Sequence, residues 1–189
     1  MTLDQPELFG DFFEVRASLG DIPDKFDITE IPFFDGGIGT AFDNANKKIA
    51  KTRSLPPKVY YVYKEGHPLF PALPFIKNER TGVIYSITDT KHSYPIVSLN
   101  KKADVWWDVH KLVGHAFIKN PDPSRKYQID HINEDNLEFC LEVIKVFGYA
   151  RAAPHMVDFR PQNLRWVTNS ENLRAMHRSK RLNSQTLET

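Results

Sequence analysis

The stretch from Ile129 to Asn172 constrains the fold of this chain more than any other. It opens with Asp130 and His131 directly after Ile129. It closes with Asn163 just before a short apolar run and with Asn172 shortly after that run. A carboxylate, an imidazole and two amides in this order could hold one hard metal ion and one general base beside a phosphate.

The local patterns in this stretch predict a strand and a helix. The strand is expected at Leu164–Val167, a short apolar run. A capping box follows, with Thr168 as the N-cap and Glu171 three residues later. The helix therefore begins just after Thr168 and carries Asn172 in its first turn.

This order of residues resembles the HNH (His-Asn-His, ββα-metal) nucleases, in the phage and intron homing endonuclease type where asparagine replaces the last histidine. The likeness extends upstream, since residues 109–118 and Asn120-Pro121 look like the segment that precedes the Asp-His pair in that family. The resemblance implies an α+β fold with a ββα-metal core at residues 109–181, in which Tyr127–His131 is the first strand and Leu164–Val167 the second. It also implies a strand-rich lead-in, so that residues 77–189 form one region.

Residues 1–76 form the other expected region, a mixed α/β segment that could supply a specificity module or a dimer surface. The patterns favour a helix at Gly39–Lys51, a strand at Lys58–Tyr63 and an extended, proline-rich linker at His67–Pro74. The lead-in is expected to contain three strands and a short helix, at residues 82–87, 94–99, 105–109 and 110–117.

The connection between the two core strands departs from the family, where a compact loop of about a dozen residues is usual. Here the connection at residues 133–162 is much longer. Apolar residues recur in it at the i, i+3, i+4, i+7 spacing of a helix that closes at Gly148. These residues are Leu137, Cys140, Leu141, Ile144 and Phe147.

The resemblance implies a role for each of four site residues. His131 would be the general base that activates water, while Asp130 and Asn172 would be the metal ligands. Asn163 would orient the loop that carries His131 through backbone hydrogen bonds. One carboxylate and one amide oxygen suit Mg²⁺ or Mn²⁺, whereas a tight zinc site would need cysteine or histidine ligands.

Three other histidines rank lower in this interpretation. His110 matches a family position and is expected to pack or form a hydrogen bond there, and His115 lies on the same short helix. His155 lies in the long connection, from which it could approach the site, although a surface position is the simpler expectation.

The charge distribution adds a candidate surface for nucleic acid. The formal net charge is only +1, but basic residues dominate the segment after the second core strand. Such a segment can dock phosphate locally, and a solvated helix is the alternative interpretation. The expected contacts are Arg165, Arg174, His177, Arg178, Lys180 and Arg181.

The cysteine content and the lengths of the apolar runs limit the cellular location expected for the chain. Cys140 is the only cysteine, so an intrachain disulfide and a cysteine-based zinc site are excluded. No apolar run approaches the roughly 20 residues of a membrane span, and the N-terminus lacks the pattern of a signal peptide. A reducing, cytoplasmic location without a membrane partner is expected, and the resemblance suggests a phage-encoded or mobile-element-encoded protein.

The leading hypothesis is a metal-dependent endonuclease of HNH homing type that hydrolyses phosphodiester bonds in double-stranded DNA. A restriction-type or structure-specific nuclease is a close variant. Cutting both strands from one ββα site would need a homodimer or two successive nicks. The alternative is a catalytically idle HNH-fold protein that binds nucleic acid or serves in an assembly. A third interpretation is a chance motif in an ordinary α/β domain.

Overall fold

The computed structural model describes residues 23–31, 55–89, 94–100, 105–122, 127–132 and 136–174. The described residues form a mixed α/β fold of small antiparallel sheets and a few helices. None of the described helices is long and apolar enough to cross a membrane. The helix expected at Gly39–Lys51 lies outside the described residues.

The first sheet contains three short strands in the order β1-β2-β3. They span Lys25–Asp27, Tyr60–Tyr63 and Phe75–Asn78. Only β2 is predicted from the sequence, since three or four residues are too few for β1 and β3 to show a clear alternation. The expected boundary between residues 76 and 77 falls inside β3, and the independence of the two regions stays a prediction.

The proline-rich segment before β3 is not an extended linker, and that prediction was wrong. It folds into successive turns, in which the amide of Phe70 donates to the carbonyl of His67 and the amide of Leu73 donates to that of Phe70. These turns bury Leu73 completely in the core. Proline excludes regular helix and strand here, but it is compatible with turns.

The second sheet has the order β4-β5-β6, at Ile87–Asp89, Pro95–Asn100 and Val105–Asp108. The strand predicted at residues 82–87 begins later, because Ile84 instead forms an isolated bridge with Lys77 next to β3. Helix α1 follows β6 directly and spans Val109–Phe117. The core cluster joins both sheets to α1 and runs from Ile28 to Leu164.

The third sheet is the hairpin that carries the motif residues. Strand β7 spans Tyr127–His131 and pairs antiparallel with β8 at Leu164–Thr168. Helix α1 packs on one face of this hairpin, where Gly114 meets the side chain of Ile129. Helix α3, whose described part is residues 169–174, lies on the other face.

Helix α2 lies in the long connection that follows β7 and precedes β8 in the chain, and it spans Leu137–Phe147. It ends at Gly148, whose φ of 69° is the left-handed conformation that favours glycine after a helix. Cys140 and Val143 are buried on its inner face, and Leu137 and Leu141 are exposed on the opposite side. The helix therefore occupies the part of the long connection where apolar periodicity predicts one.

Candidate functional site at the β7–β8 hairpin

The pleat of β7 sends Asp130 and His131 to opposite faces of the hairpin. Successive side chains alternate along a strand, and the register places Asp130 opposite Arg165 and His131 opposite Leu164. We call the side that packs on α1 the buried face and the side that meets α3 the open face. The motif residues are therefore divided between two environments.

His131 lies on the buried face with only 5% of its surface exposed. Its ring centroid is 5.0 Å from that of His110 and 6.3 Å from that of Tyr94. Burial lowers the pKa of His131 to about 4, and the charge of His155 acts in the same direction. Asp130, Asp158 and the backbone of Met156 oppose this shift without reversing it. The imidazole is thus neutral at pH 7.

Nε2 of His131 is buried and has no hydrogen-bond partner among the described residues. The neutral imidazole is the form in which a histidine can accept a proton.

His110 and Tyr94 complete the buried face. His110 on α1 is buried, and desolvation lowers its pKa well below the usual range, with His131 acting in the same direction. The ring of Tyr94 lies 5.0 Å from that of His110. His110 packs as expected, whereas no sequence pattern predicts that Tyr94 lies beside His131.

The open face carries Asp130 in an ion pair with its cross-strand neighbour. Nη2 of Arg165 lies 3.0 Å from Oδ2 of Asp130, and Nε of the same guanidinium lies 3.4 Å from that oxygen. Side-chain exposure is 35% for Arg165 and 22% for Asp130, so both groups remain in contact with solvent. Arg165 thus binds the carboxylate of Asp130, in addition to its predicted role toward nucleic acid.

Asn172 also reaches the open face, where it contacts β7 through Gln128. Its Nδ2 donates to Oε1 of Gln128 at 3.1 Å, and Gln128 is two residues before Asp130 on the same face. The hydrogen bond uses the amide nitrogen and leaves the amide oxygen of Asn172 for another contact. Asp130 and Asn172 therefore share a face, while the structure shows no direct bond between them.

The capping box that begins α3 is present as the sequence predicts. The backbone N–H of Thr168 donates to Oε2 of Glu171 at 2.7 Å, and the N–H of Glu171 donates to the Thr168 hydroxyl at 3.3 Å. These bonds fix the start of the helix on β8 and so fix where Asn172 meets β7.

Asn163 is buried just before β8 and touches the end of β7 through its backbone. Its carbonyl accepts a hydrogen bond of 2.8 Å from the amide of Ile132, the residue that follows His131. Its Nδ2 donates to the carbonyl of Asp158, also at 2.8 Å. Asn163 therefore connects the chain after His131 to the end of the long connection.

Asp158 is a buried charged residue that the sequence analysis did not single out. It is fully buried, and its carboxylate accepts from Nε and Nη2 of Arg160 at 2.7 and 2.8 Å. Nδ2 of Asn136 donates to the same carboxylate at 2.9 Å. An Asp-x-Arg spacing was the available signal, but it is too common on surfaces to indicate a buried pair by itself.

The expected nucleic-acid contacts are only partly described. Arg174 is exposed on α3, close to the open face. His177, Arg178, Lys180 and Arg181 lie outside the described residues. Within the described parts of the chain, no three or more His, Cys, Asp or Glu side chains form a group that could hold a metal ion. A site made of Asp130 and Asn172 would be smaller than such a group and would contain only oxygen ligands.

Comparison with known proteins gives one match in sequence. The uncharacterized HNH endonuclease L247 of Acanthamoeba polyphaga mimivirus is 31% identical over 99 residues, which are 52% of this chain and 20% of that protein. The match supports an HNH nuclease family for this chain. No family model matches the sequence. The chain spans about a fifth of the length of the mimivirus HNH protein.

A solved structure of an HNH protein is also similar in part. The structure titled "DNA binding and cleavage by the HNH homing endonuclease I-HmuI" has a TM-score of 0.43 and 19% sequence identity. The alignment covers 65% of this chain and 55% of that one.

Proposed function

We propose that this protein is a metal-dependent endonuclease of HNH type that hydrolyses phosphodiester bonds in duplex DNA at the β7–β8 hairpin. The observation that carries the proposal is the pair of adjacent residues at the end of β7, a neutral imidazole at His131 and a carboxylate at Asp130 on the open face, which Asn172 also reaches. A general base and an oxygen ligand on adjacent residues are the two elements that metal-assisted hydrolysis requires.

His131 is the proposed general base. Tyr94 and His110 pack against its ring, and burial keeps the imidazole neutral. A base that is already neutral accepts a proton from water without first losing one. Asn163 supports this role, because its carbonyl anchors the amide that follows His131.

Asp130 and Asn172 are the proposed holders of a divalent ion, Mg²⁺ or Mn²⁺. The donor set fits such an ion, since both side chains offer oxygen, both lie on the open face, and Asn172 uses only its nitrogen toward Gln128. The bound ion would neutralise charge on the phosphate and on the leaving oxygen. Arg165 holds the Asp130 carboxylate in place and can also donate to a phosphate oxygen, since its guanidinium has five N–H groups.

Double-stranded DNA is the proposed substrate. The mimivirus match carries the name HNH endonuclease. Arg174 and the basic residues that follow it along the chain would supply cations for the DNA backbone. A homing role, a mobile-element origin, a homodimer and a specificity module at residues 1–76 are further parts of the proposal.

Incubation of the protein with supercoiled plasmid in Mg²⁺, Mn²⁺ or EDTA tests the proposal. We expect wild type to nick or linearise DNA only with metal, and His131→Ala to reduce the rate by roughly 10²- to 10⁴-fold. Lys145→Ala is the matched control, since Lys145 lies exposed on α2 and makes only a surface ion pair.

A library of target DNA accompanies the plasmid, because a site-specific enzyme would spare a plasmid that lacks its site. Cleavage at the wild-type rate by His131→Ala would contradict the assignment of the base. DNA binding without cleavage of any substrate would favour the idle binding protein instead.

A further inference from the structure

The ion pair between Arg165 and Asp130 uses only one oxygen of the carboxylate. Both Nη2 and Nε of Arg165 donate to Oδ2 of Asp130, at 3.0 and 3.4 Å. A carboxylate oxygen has about two lone-pair directions, so these two N–H groups use those of Oδ2. In the parts of the chain that the structure describes, Oδ1 of Asp130 accepts no hydrogen bond. The guanidinium therefore distinguishes two oxygens that are equivalent in a free carboxylate.

The register of the hairpin holds this arrangement. Asp130 and Arg165 lie directly opposite each other on β7 and β8, and cross-strand neighbours on one face are close enough for their side chains to interact. An ion pair as exposed as this one contributes little to the stability of the fold. Its consequence concerns what the carboxylate can bind, because one oxygen is occupied and the other is open.

Asn172 also offers a single oxygen on the open face. Its Nδ2 donates to Oε1 of Gln128 at 3.1 Å, and Nε2 of Gln128 in turn donates to Oδ1 of Asn169 at 3.4 Å. The second bond fixes the direction of the Gln128 amide, and the first bond then fixes that of the Asn172 amide. Each of the two proposed ligands thus presents one oxygen to an ion.

Divalent ions differ in how they use a carboxylate. Ca²⁺ takes about six to eight oxygens and can bind both oxygens of one carboxylate, whereas Mg²⁺ requires nearly octahedral positions and keeps several waters. We propose that Arg165 is a selectivity residue, which makes Asp130 a one-oxygen ligand and so favours Mg²⁺ or Mn²⁺ over Ca²⁺. The inference rests on the proposed function, because Asp130 and Asn172 must hold the ion, but ion binding can be measured without cleavage.

Removal of Arg165 would open the second oxygen of Asp130. The larger Ca²⁺ can use this additional ligand, but the two oxygens of one carboxylate lie too close together to fill neighbouring octahedral positions well. Loss of the positive charge would also raise the affinity for every divalent ion, since Arg165 repels all of them by the same Coulomb interaction. The ratio of the Mn²⁺ and Ca²⁺ affinities therefore reports the number of ligands, because the effect of charge cancels.

Calorimetric titration of the whole protein with Mn²⁺ and with Ca²⁺ tests the inference in wild type and Arg165→Met. Wild type should bind Mn²⁺ more tightly than Ca²⁺, and Arg165→Met should lower the ratio of the two affinities by about tenfold, the size of effect expected when a partner of a metal ligand is removed. Arg165→Lys keeps the charge without the two-pronged donor and should lower the ratio by less. It is the second variant in case Arg165→Met does not fold.

Arg80→Met is the matched control. Arg80 is exposed outside the hairpin, and its backbone amide bonds to Asn78, a contact that the substitution retains. The control should leave the ratio unchanged. A ratio that stays within about twofold of wild type, in a folded Arg165 variant that still binds Mn²⁺, would overturn the inference and leave the proposed function intact. An equal change in Arg80→Met would also overturn it.

Asp130→Asn separates failure of the inference from failure of the proposed function. This variant should weaken Mn²⁺ binding, because it removes the charged ligand that Arg165 contacts. Wild-type protein that binds no Mn²⁺, or Mn²⁺ binding that Asp130→Asn does not weaken, would refute the metal site of the proposed function.

Discussion

The two faces of the β7–β8 hairpin differ in almost every physical property, although they carry adjacent residues. On the buried face His131 packs against aromatic rings and stays neutral. On the open face Asp130 makes a solvent-accessible ion pair with Arg165. The alternation of the strand separates a proton acceptor from an anionic ligand by one residue. The hairpin thus carries the two groups on adjacent residues in different environments.

The same comparison indicates how each face is stabilised. The buried face depends on close packing against α1 and on a neutral imidazole. Lowering the pH or adding side-chain volume on this face should therefore lower the free energy of unfolding. The open face depends on hydrogen bonds among Gln128, Asn172 and the capping box, so it should respond to loss of single polar groups. Three measurements of stability test this contrast.

The largest effect is expected from pH. Burial lowers the pKa of His131 from 6.5 to about 4, so the unfolded chain binds more protons between these pH values. Stability present at pH 7 is therefore lost as the pH falls from 6.5 to 4, by about 3 kcal/mol from this residue. The pKa of His110 is also lowered by burial, so this residue adds to the loss of stability at low pH. Urea unfolding across this range should show a smaller loss for His131→Gln, and an unchanged pH dependence in that variant would contradict the buried neutral state.

The next effect is expected from Gly114→Ala. A Cβ at Gly114 would lie 2.6–2.8 Å from three side-chain carbons of Ile129, so α1 and β7 would have to move apart. We expect a loss of about 1–3 kcal/mol, although alanine ordinarily favours a helix over glycine. Adding Ile129→Ala should remove most of the penalty in a double-mutant cycle. Ser170→Ala on exposed α3 is the control, and a similar loss there would remove the contrast between the faces.

The smallest effect is expected from Thr168→Ala on the open face. This change removes the hydroxyl that caps α3, and it should cost about 1 kcal/mol. Thermal unfolding measures the cost, and Thr168→Ser, which keeps the hydroxyl, should restore most of it. A loss as large as that of Gly114→Ala would show that the two faces do not differ in the way described.

The hairpin and its helix could be predicted because the second strand and the capping box have local signals and the family resemblance implied the first strand. Strand β7 has the predicted bounds, and the capping box between Thr168 and Glu171 forms as expected. Strands β1 and β3 were missed because such short strands are defined by pairing with β2 rather than by their own pattern. A local sequence pattern does not predict a short strand whose position is determined by the strand with which it pairs.

The site was predictable in its residues but not in its arrangement. Nothing in the order of Asp130 and His131 shows that one meets Arg165 in water and the other meets Tyr94 in the core, because both contacts depend on register and tertiary packing. The ion pair between Asp158 and Arg160 was not predicted for the same reason. The pair differs from a surface contact because Asp158 is buried, and two charged residues in a sequence do not indicate burial.

Titration of the protein with Mn²⁺ in a calorimeter tests the division between the faces most directly. It uses wild type, Asp130→Asn and His131→Gln, which change adjacent residues in the same strand. We expect Asp130→Asn to weaken Mn²⁺ binding by about tenfold or more and His131→Gln to leave it within about twofold, because only the open face offers ligands to the ion. Equal loss in both variants, or loss only in His131→Gln, would contradict the account.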